Sequence, residues 1–168
     1  MAERPWSVPV AVAEIAETGS HFDLVADAAT REAVARLAGL RDLPCLEASF
    51  DVERRGEGAA VRGEIRGDVG QTCVVTLEPI EAHVKEAVDL VYAPTAAEGD
   101  RSSHRSGAEE LPEVLEDGTI DLGAIATEFL ILGLNPYPRK ADATFAAPME
   151  GEKPAKPFAA LAALKKPS

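Results

Sequence analysis

The chain is poor in the residues that build reactive centres. Only two cysteines, Cys45 and Cys73, occur in 168 residues, too few for the disulfide framework of a small secreted protein. The three histidines, His21, His83 and His104, are scattered, and no Cys or His pair has CxxC or HxxxH spacing. Structural zinc needs four such ligands, usually in close pairs, so no metal is expected. Neither cysteine adjoins a basic residue or an expected helix start that would lower its pKa. No nucleophile elbow, phosphate loop or dinucleotide fingerprint is present, which excludes the commonest routes to a catalytic residue, a cofactor or a small-molecule substrate. An enzyme would have to be built from His83 and Glu128, or from Asp121 and Glu128 two turns apart on one helix. No second feature of a general acid and base accompanies either pair, so a non-enzymatic role is expected.

Other absences bound the partners. No stretch approaches the roughly 18 apolar residues of a membrane helix. The first residues carry Glu3, Glu14 and Glu17 without the apolar core of a signal peptide, so the reading is a reduced, cytoplasmic protein with no membrane partner. Cations are outnumbered, 17 Lys and Arg against 29 Asp and Glu, for a net charge of −12. Such a chain is repelled from phosphate backbones unless its cations cluster. Aromatics make up 5% of the residues, so the core must be aliphatic.

Alternation is what the chain has in quantity. Residues 6–15 read as an extended opening. Phe22, Leu24 and Ala26 alternate as a short strand, Thr30 stands where an N-cap belongs, and Val34, Leu37 and Ala38 share a helical face closed by Gly39. Leu46, Ala48, Phe50 and Val52 then alternate with Glu47, Ser49, Asp51 and Glu53. After the turn in GEGAA, Val61, Gly63, Ile65, Gly67 and Val69 alternate with Arg62, Glu64, Arg66 and Asp68. This is an antiparallel hairpin with one dry face. Gly63 and Gly67 on that face predict strong curvature or the close approach of another element. Cys73, Val75 and Leu77 continue the meander to Glu78-Pro79, and Val84, Val88, Leu90 and Tyr92 form a further strand. Asp121 can cap a late helix whose apolar stripe is Leu122, Ile125, Phe129 and Leu132, broadened by Leu130. Gly133, Pro136 and Pro138 end it. The expectation is one α+β domain over residues 1–146: a curved antiparallel sheet or partly open barrel of about five strands, with one early and one late helix. A mobile acidic loop is expected at about 94–118, and a flexible tail over 147–168 with a short helix-prone segment.

Two kinds of contact surface are legible. Arg54, Arg55, Arg62 and Arg66 lie at or on the outward face of the hairpin and could touch nucleic acid locally, although Glu53, Glu64 and Asp68 are interleaved with them. The acidic stretch with Glu109, Glu110, Glu113, Glu116 and Asp117, and the tail stripe Phe158, Leu161 and Leu164 followed by Lys165 and Lys166, could instead dock on a partner.

Three blocks carry a resemblance: GQTCVVTLEPIEAHVKEAVDLVYAP, then DGTIDLGAIATEFLILGLNPYPR, then KPFAALAAL. In that order they resemble the YceD family, named for accumulation of large-subunit (23S) ribosomal RNA. QTCVVTLEP is most similar to its alphaproteobacterial branch. The resemblance implies a cytoplasmic, non-enzymatic factor in ribosome biogenesis, promoting processing or stability of 23S rRNA or its precursor. In many members of that family the block at Cys73 reads as a CxxC pair, with further cysteines after the equivalent of Pro138. Here Thr76 replaces the second cysteine and none follows Pro138, so Cys73 is expected to be an ordinary strand residue, with Val74, Val75 and Leu77 packing to hold the strand. Two mechanisms then stand. The hairpin arginines, with Arg139 and Lys140, contact rRNA, or the acidic segment engages a basic ribosomal protein or assembly factor.

Overall fold

A computed structural model describes residues 4–94, 112–115 and 117–144. The order of elements is β1 (Pro9–Ala11), a single 3-10 turn (Val12–Glu14), β2 (Ser20–Val25), α1 (Ala28–Ala38), β3 (Asp42–Arg55), β4 (Gly58–Thr72), β5 (Pro79–Ala93), β6 (Glu113–Val114), β7 (Thr119–Asp121) and α2 (Leu122–Leu132). The principal sheet has the order β2-β3-β4-β5-β6 and does not close on itself, which decides between the open sheet and a closed barrel. Every pairing in it is antiparallel except β5 with β6. A second, two-stranded sheet joins β1 to β7. The fold is therefore α+β with a curved, mixed sheet.

Alternation dictates the layering. Leu46, Ala48, Phe50, Val52, Val61, Ile65, Val69, Val84 and Val88 point to one face and are buried there, with α1, α2 and the opening segment around Trp6 closing over them. Burying one aliphatic side chain of this size is worth about 1.5–3 kcal/mol. Close approach, one of the two expectations for the hairpin glycines, is realised. A Cβ on Gly67 would lie 2.7 Å from Leu130 Cδ1 of α2, and one on Gly63 would lie 2.7 Å from the Phe50 ring. A bulge between Asp42 and Cys45 breaks the register near the start of β3.

Several local expectations are corrected. Asp27, not Thr30, caps α1: its carboxylate accepts the Thr30 amide at 2.7 Å. Asp is a strong N-cap, and Ala28 and Ala29 let the helix begin earlier. Gly39 does end α1, in the left-handed conformation. On α1 the inward side is Val34 and Ala35, whereas Leu37 is exposed. On α2 it includes Leu122, Ile125, Ala126 and Leu130, whereas Leu132 is exposed. Cys73 is not a strand residue. β4 stops at Thr72 and residues 74–76 form a turn. Val74 and Leu77 are exposed, so they do not hold a strand by packing, and Leu77 has φ of 59°. Within the segment expected to be a loop, Glu113–Val114 pair with Tyr92–Ala93 and Leu115 is buried. Residues 95–111 and 116, and the tail from 145 onward, lie outside the described residues.

Candidate functional site

The outward face of the sheet is built by pairing register. His21 lies opposite Asp51, Asp51 opposite Arg62, and Arg62 opposite Asp89, so four strands contribute a row of alternating sign. His21 Nδ1 is 2.7 Å from Asp51 Oδ1, and that hydrogen bond raises the imidazole above its usual pKa. Arg62 Nε donates to Asp89 at 3.3 Å, and its Nη1 lies 4.0 Å from Glu53. A second row sets Glu47 opposite Arg66 and Arg66 opposite Lys85. Arg66 and Lys85 both grip Glu64, at 2.6 and 2.8 Å, and together, Lys85 foremost, hold that carboxyl below the usual range. Arg55 stands 3.8 Å from Glu53, and His83 2.6 Å from Asp68. Arg54 alone among the four hairpin arginines makes its recorded contact with a backbone carbonyl, that of Gly56.

The arginines expected to form a nucleic-acid surface are thus present on one face, but three of the four are already answered by carboxylates of the same sheet. Surface pairs of this kind add little stability, about 0–1 kcal/mol each. They do neutralise the field that would attract phosphate. Arg139 is exposed, whereas Lys140 donates to Glu78 at 2.9 Å, far from the hairpin in sequence. His83 is on the outward face of β5, while Glu128 is on α2, which packs against the opposite face. The sheet separates the two members of the hydrolase pair.

The turn after β4 forms a closed corner. Val74 N–H donates to Pro138 O at 2.9 Å, Cys73 N–H to Glu78 O at 2.8 Å, and the Gln71 side chain to Asn135 O at 3.0 Å. The irregular segment following α2 is thereby laid over the turn, and Lys140 with Glu78 locks the outside. Inside, Cys73 is fully buried and its Sγ accepts the Thr76 amide at 3.4 Å. Donors from Thr76, then the Lys140 and Val75 amides, pull its thiol down to about 6. The sequence reading missed this because the amides come from a tight turn and from a segment more than 60 residues away. Cys45 behaves oppositely: burial, then the charges of Glu47 and Asp68, push its thiol up. The turn at Cys73 and the segment around Pro138 to Lys140 therefore meet, with Thr76 and Lys140 beside a lone thiol. Among the described residues no three His, Cys, Asp or Glu side chains gather as a metal site.

Of the expected partner-binding residues, Glu113 and Asp117 are described and exposed. Glu109, Glu110, Glu116, Phe158 and Leu161 lie outside the described residues. Glu113, Glu128 and Asp121 all bear on Tyr92, whose hydroxyl is pushed up to about 12 by burial first and by these carboxylates second. Among the described residues no helix is long and apolar enough to cross a membrane.

An open α+β sheet with a charge-compensated outer face and a braced turn is the scaffold these features define. A family model described as large ribosomal RNA subunit accumulation protein YceD matches residues 61–165, more than half of the chain, and the chain belongs to that family. The match spans most of β4, the Cys73 corner, β5 and α2, and leaves out β1, β2, α1 and β3. The family description implies a role in accumulation of the large ribosomal RNA, that is, in ribosome biogenesis. Comparison with curated proteins and with solved structures gives no match.

Proposed function

We propose that this protein is a non-enzymatic, cytoplasmic ribosome-biogenesis factor. It promotes accumulation of 23S rRNA by binding a basic ribosomal protein or assembly factor through its acidic segment, Glu109 to Asp117. The observation that carries this choice over direct rRNA contact is the neutralised hairpin: Arg55, Arg62 and Arg66 each sit within 4.0 Å of a carboxylate. To bind phosphate they would first have to give up those partners, in a chain whose net charge is −12. Carboxylates clustered in one segment attract a cationic partner at long range, in a salt-dependent way.

The test is association with ribosomal particles in cells, read by crosslinking that recovers both RNA and protein. The acidic variant should carry Glu109, Glu110, Glu113 and Glu116→Gln rather than a deletion, because Leu115 is buried between two of these positions. The expected outcome is loss of the crosslinked protein partner in that variant and undiminished association in Arg54→Glu/Arg62→Glu. The reverse pattern, with rRNA crosslinks lost on reversing the arginines, would replace protein binding by direct rRNA contact.

A further inference from the structure

Helix α2 reads LGAIATEFLIL, apolar on nearly every side, with Glu128 its one charged residue. A helix of that composition belongs in an interior, covered all round. Among the described residues Ala124, Phe129 and Ile131 of it are half-buried, and Glu128 and Leu132 are exposed. Leu122, Ile125, Ala126 and Leu130 pack inward, while Leu132 is 70% exposed. Leu37 of α1 is 61% exposed. These two are the leucines that helical periodicity assigns to the core, and they border the same groove. Its apolar lining also includes Trp6, Ala124 and Ile131, and it encloses about 280 Å³. Thr127 brings no unmet polar demand to it, since its hydroxyl donates to Gly123 O at 2.9 Å.

We infer that this groove is the docking site of the chain's own segment Phe158–Leu164. The segment has the chemistry: Phe158, Leu161 and Leu164 recur every third residue among alanines, an apolar stripe of the size the groove lacks. Charge fits as well. Lys153, Lys156, Lys165 and Lys166 flank the stripe with no carboxylate between residues 153 and 168, whereas the whole chain carries −12 and Glu128 stands on the groove rim. Reach is ample. Residues 145–157 span up to about 43 Å when extended, against about 16 Å for the whole length of α2. The family match runs on to residue 165, so it takes in the segment together with α2. Covalent linkage over so short a stretch gives an effective concentration on the order of 1 mM, so a contact with Kd of about 0.1 mM would stay docked roughly nine-tenths of the time. The inference is carried by the apolar face and does not depend on which ribosomal component the acidic segment binds.

The experiment uses the full chain with Cys45→Ser and Leu132→Cys, and follows alkylation of the new thiol by N-ethylmaleimide. The same chain without Leu132→Cys measures the background from buried Cys73, and Leu37→Cys serves as a second reporter on the opposite wall. Docking predicts that Phe158→Ser with Leu161→Ser speeds alkylation of both reporters about tenfold, as expected for a site covered nine-tenths of the time. Added peptide of residues 153–168 should slow it again. Equal rates with and without the tail substitutions would overturn the inference. Protection that grows with protein concentration would overturn it in favour of a second copy. Protection that appears only when ribosomal proteins are added would overturn it in favour of an external partner.

Discussion

The two faces of the sheet solve the problem of exposure in opposite ways. On the outward face many charged side chains are paired within the sheet, across strands as in His21 with Asp51 and Arg62 with Asp89, or along one strand as in Arg66 with Glu64. On the helical side, α1 and α2 cover the core, and among the described residues Leu37 and Leu132 stand exposed at the groove beside Trp6. A face whose charges are mutually satisfied offers little net attraction to an outside partner, while an apolar groove retains the free energy of covering it. The difference favours the groove on the helices over the arginine-bearing strands as the surface left to be covered.

The comparison is sharpest on α2 itself. Leu130→Ala should destabilise the fold by about 2–5 kcal/mol, because it empties the space against Gly67. Leu132→Ala, two residues on, should change chemical unfolding by no more than about 0.5 kcal/mol. Equal losses at the two positions would mean that the helix is covered on both sides by the folded domain.

A middle-sized effect is expected at Asp121, the residue that ties the opening segment to α2. Its carboxylate accepts from Val8 N–H at 2.8 Å, Ser7 Oγ at 2.8 Å and Ala124 N–H at 3.1 Å, with Arg4 at 3.3 Å. Burial by itself would raise this carboxyl, but these donors outweigh it and the net pKa is lowered. The folded state therefore prefers the ionised form. The resulting stability is present above the ordinary value of 3.8 and is lost as pH falls below it. Asp121→Ala should cost about 0.5–2 kcal/mol at neutral pH. Its unfolding curve should also lose part of the acid sensitivity of the parent, which thermal melts between neutral and strongly acid pH would measure.

The smallest effect belongs to the charged rows. Arg62→Ala should change stability by about 0–1 kcal/mol, since its partners are exposed. Raising the salt concentration should shrink the difference further. A loss well beyond that range in a denaturant titration would show that the outward face is a structural network and not merely a neutralised one.

Much of the architecture was legible along the chain because period-two alternation from Leu46 to Val69, and again from Val84 to Tyr92, is a local property of the residues. The hairpin pairs were legible too. Counting outward from the turn at Gly56 and Glu57 puts Arg62 opposite Asp51 and Arg66 opposite Glu47, as observed. The pairing of Arg62 with Asp89 and of Lys85 with Glu64 was not legible, because the register of β5 depends on how residues 73–78 turn. Helical periodicity named Leu37 and Leu132 as core because it counts apolar faces without knowing how many of them the rest of the chain can cover.

What the sequence determined alone is the dry and wet faces of the strands, the cap at Asp121, the acid excess and the three blocks that mark the family. These follow from side-chain chemistry and short-range geometry, which are the same wherever the segment sits. Only the tertiary structure decided that the sheet stays open, that Arg62 is answered by Glu53 and Asp89 of the neighbouring strands, and that amides from Thr76 and Lys140 converge on Cys73. Each of those depends on through-space contacts between residues distant in the chain or on the way a short turn folds back, and electrostatics acts across that space whatever the separation in sequence.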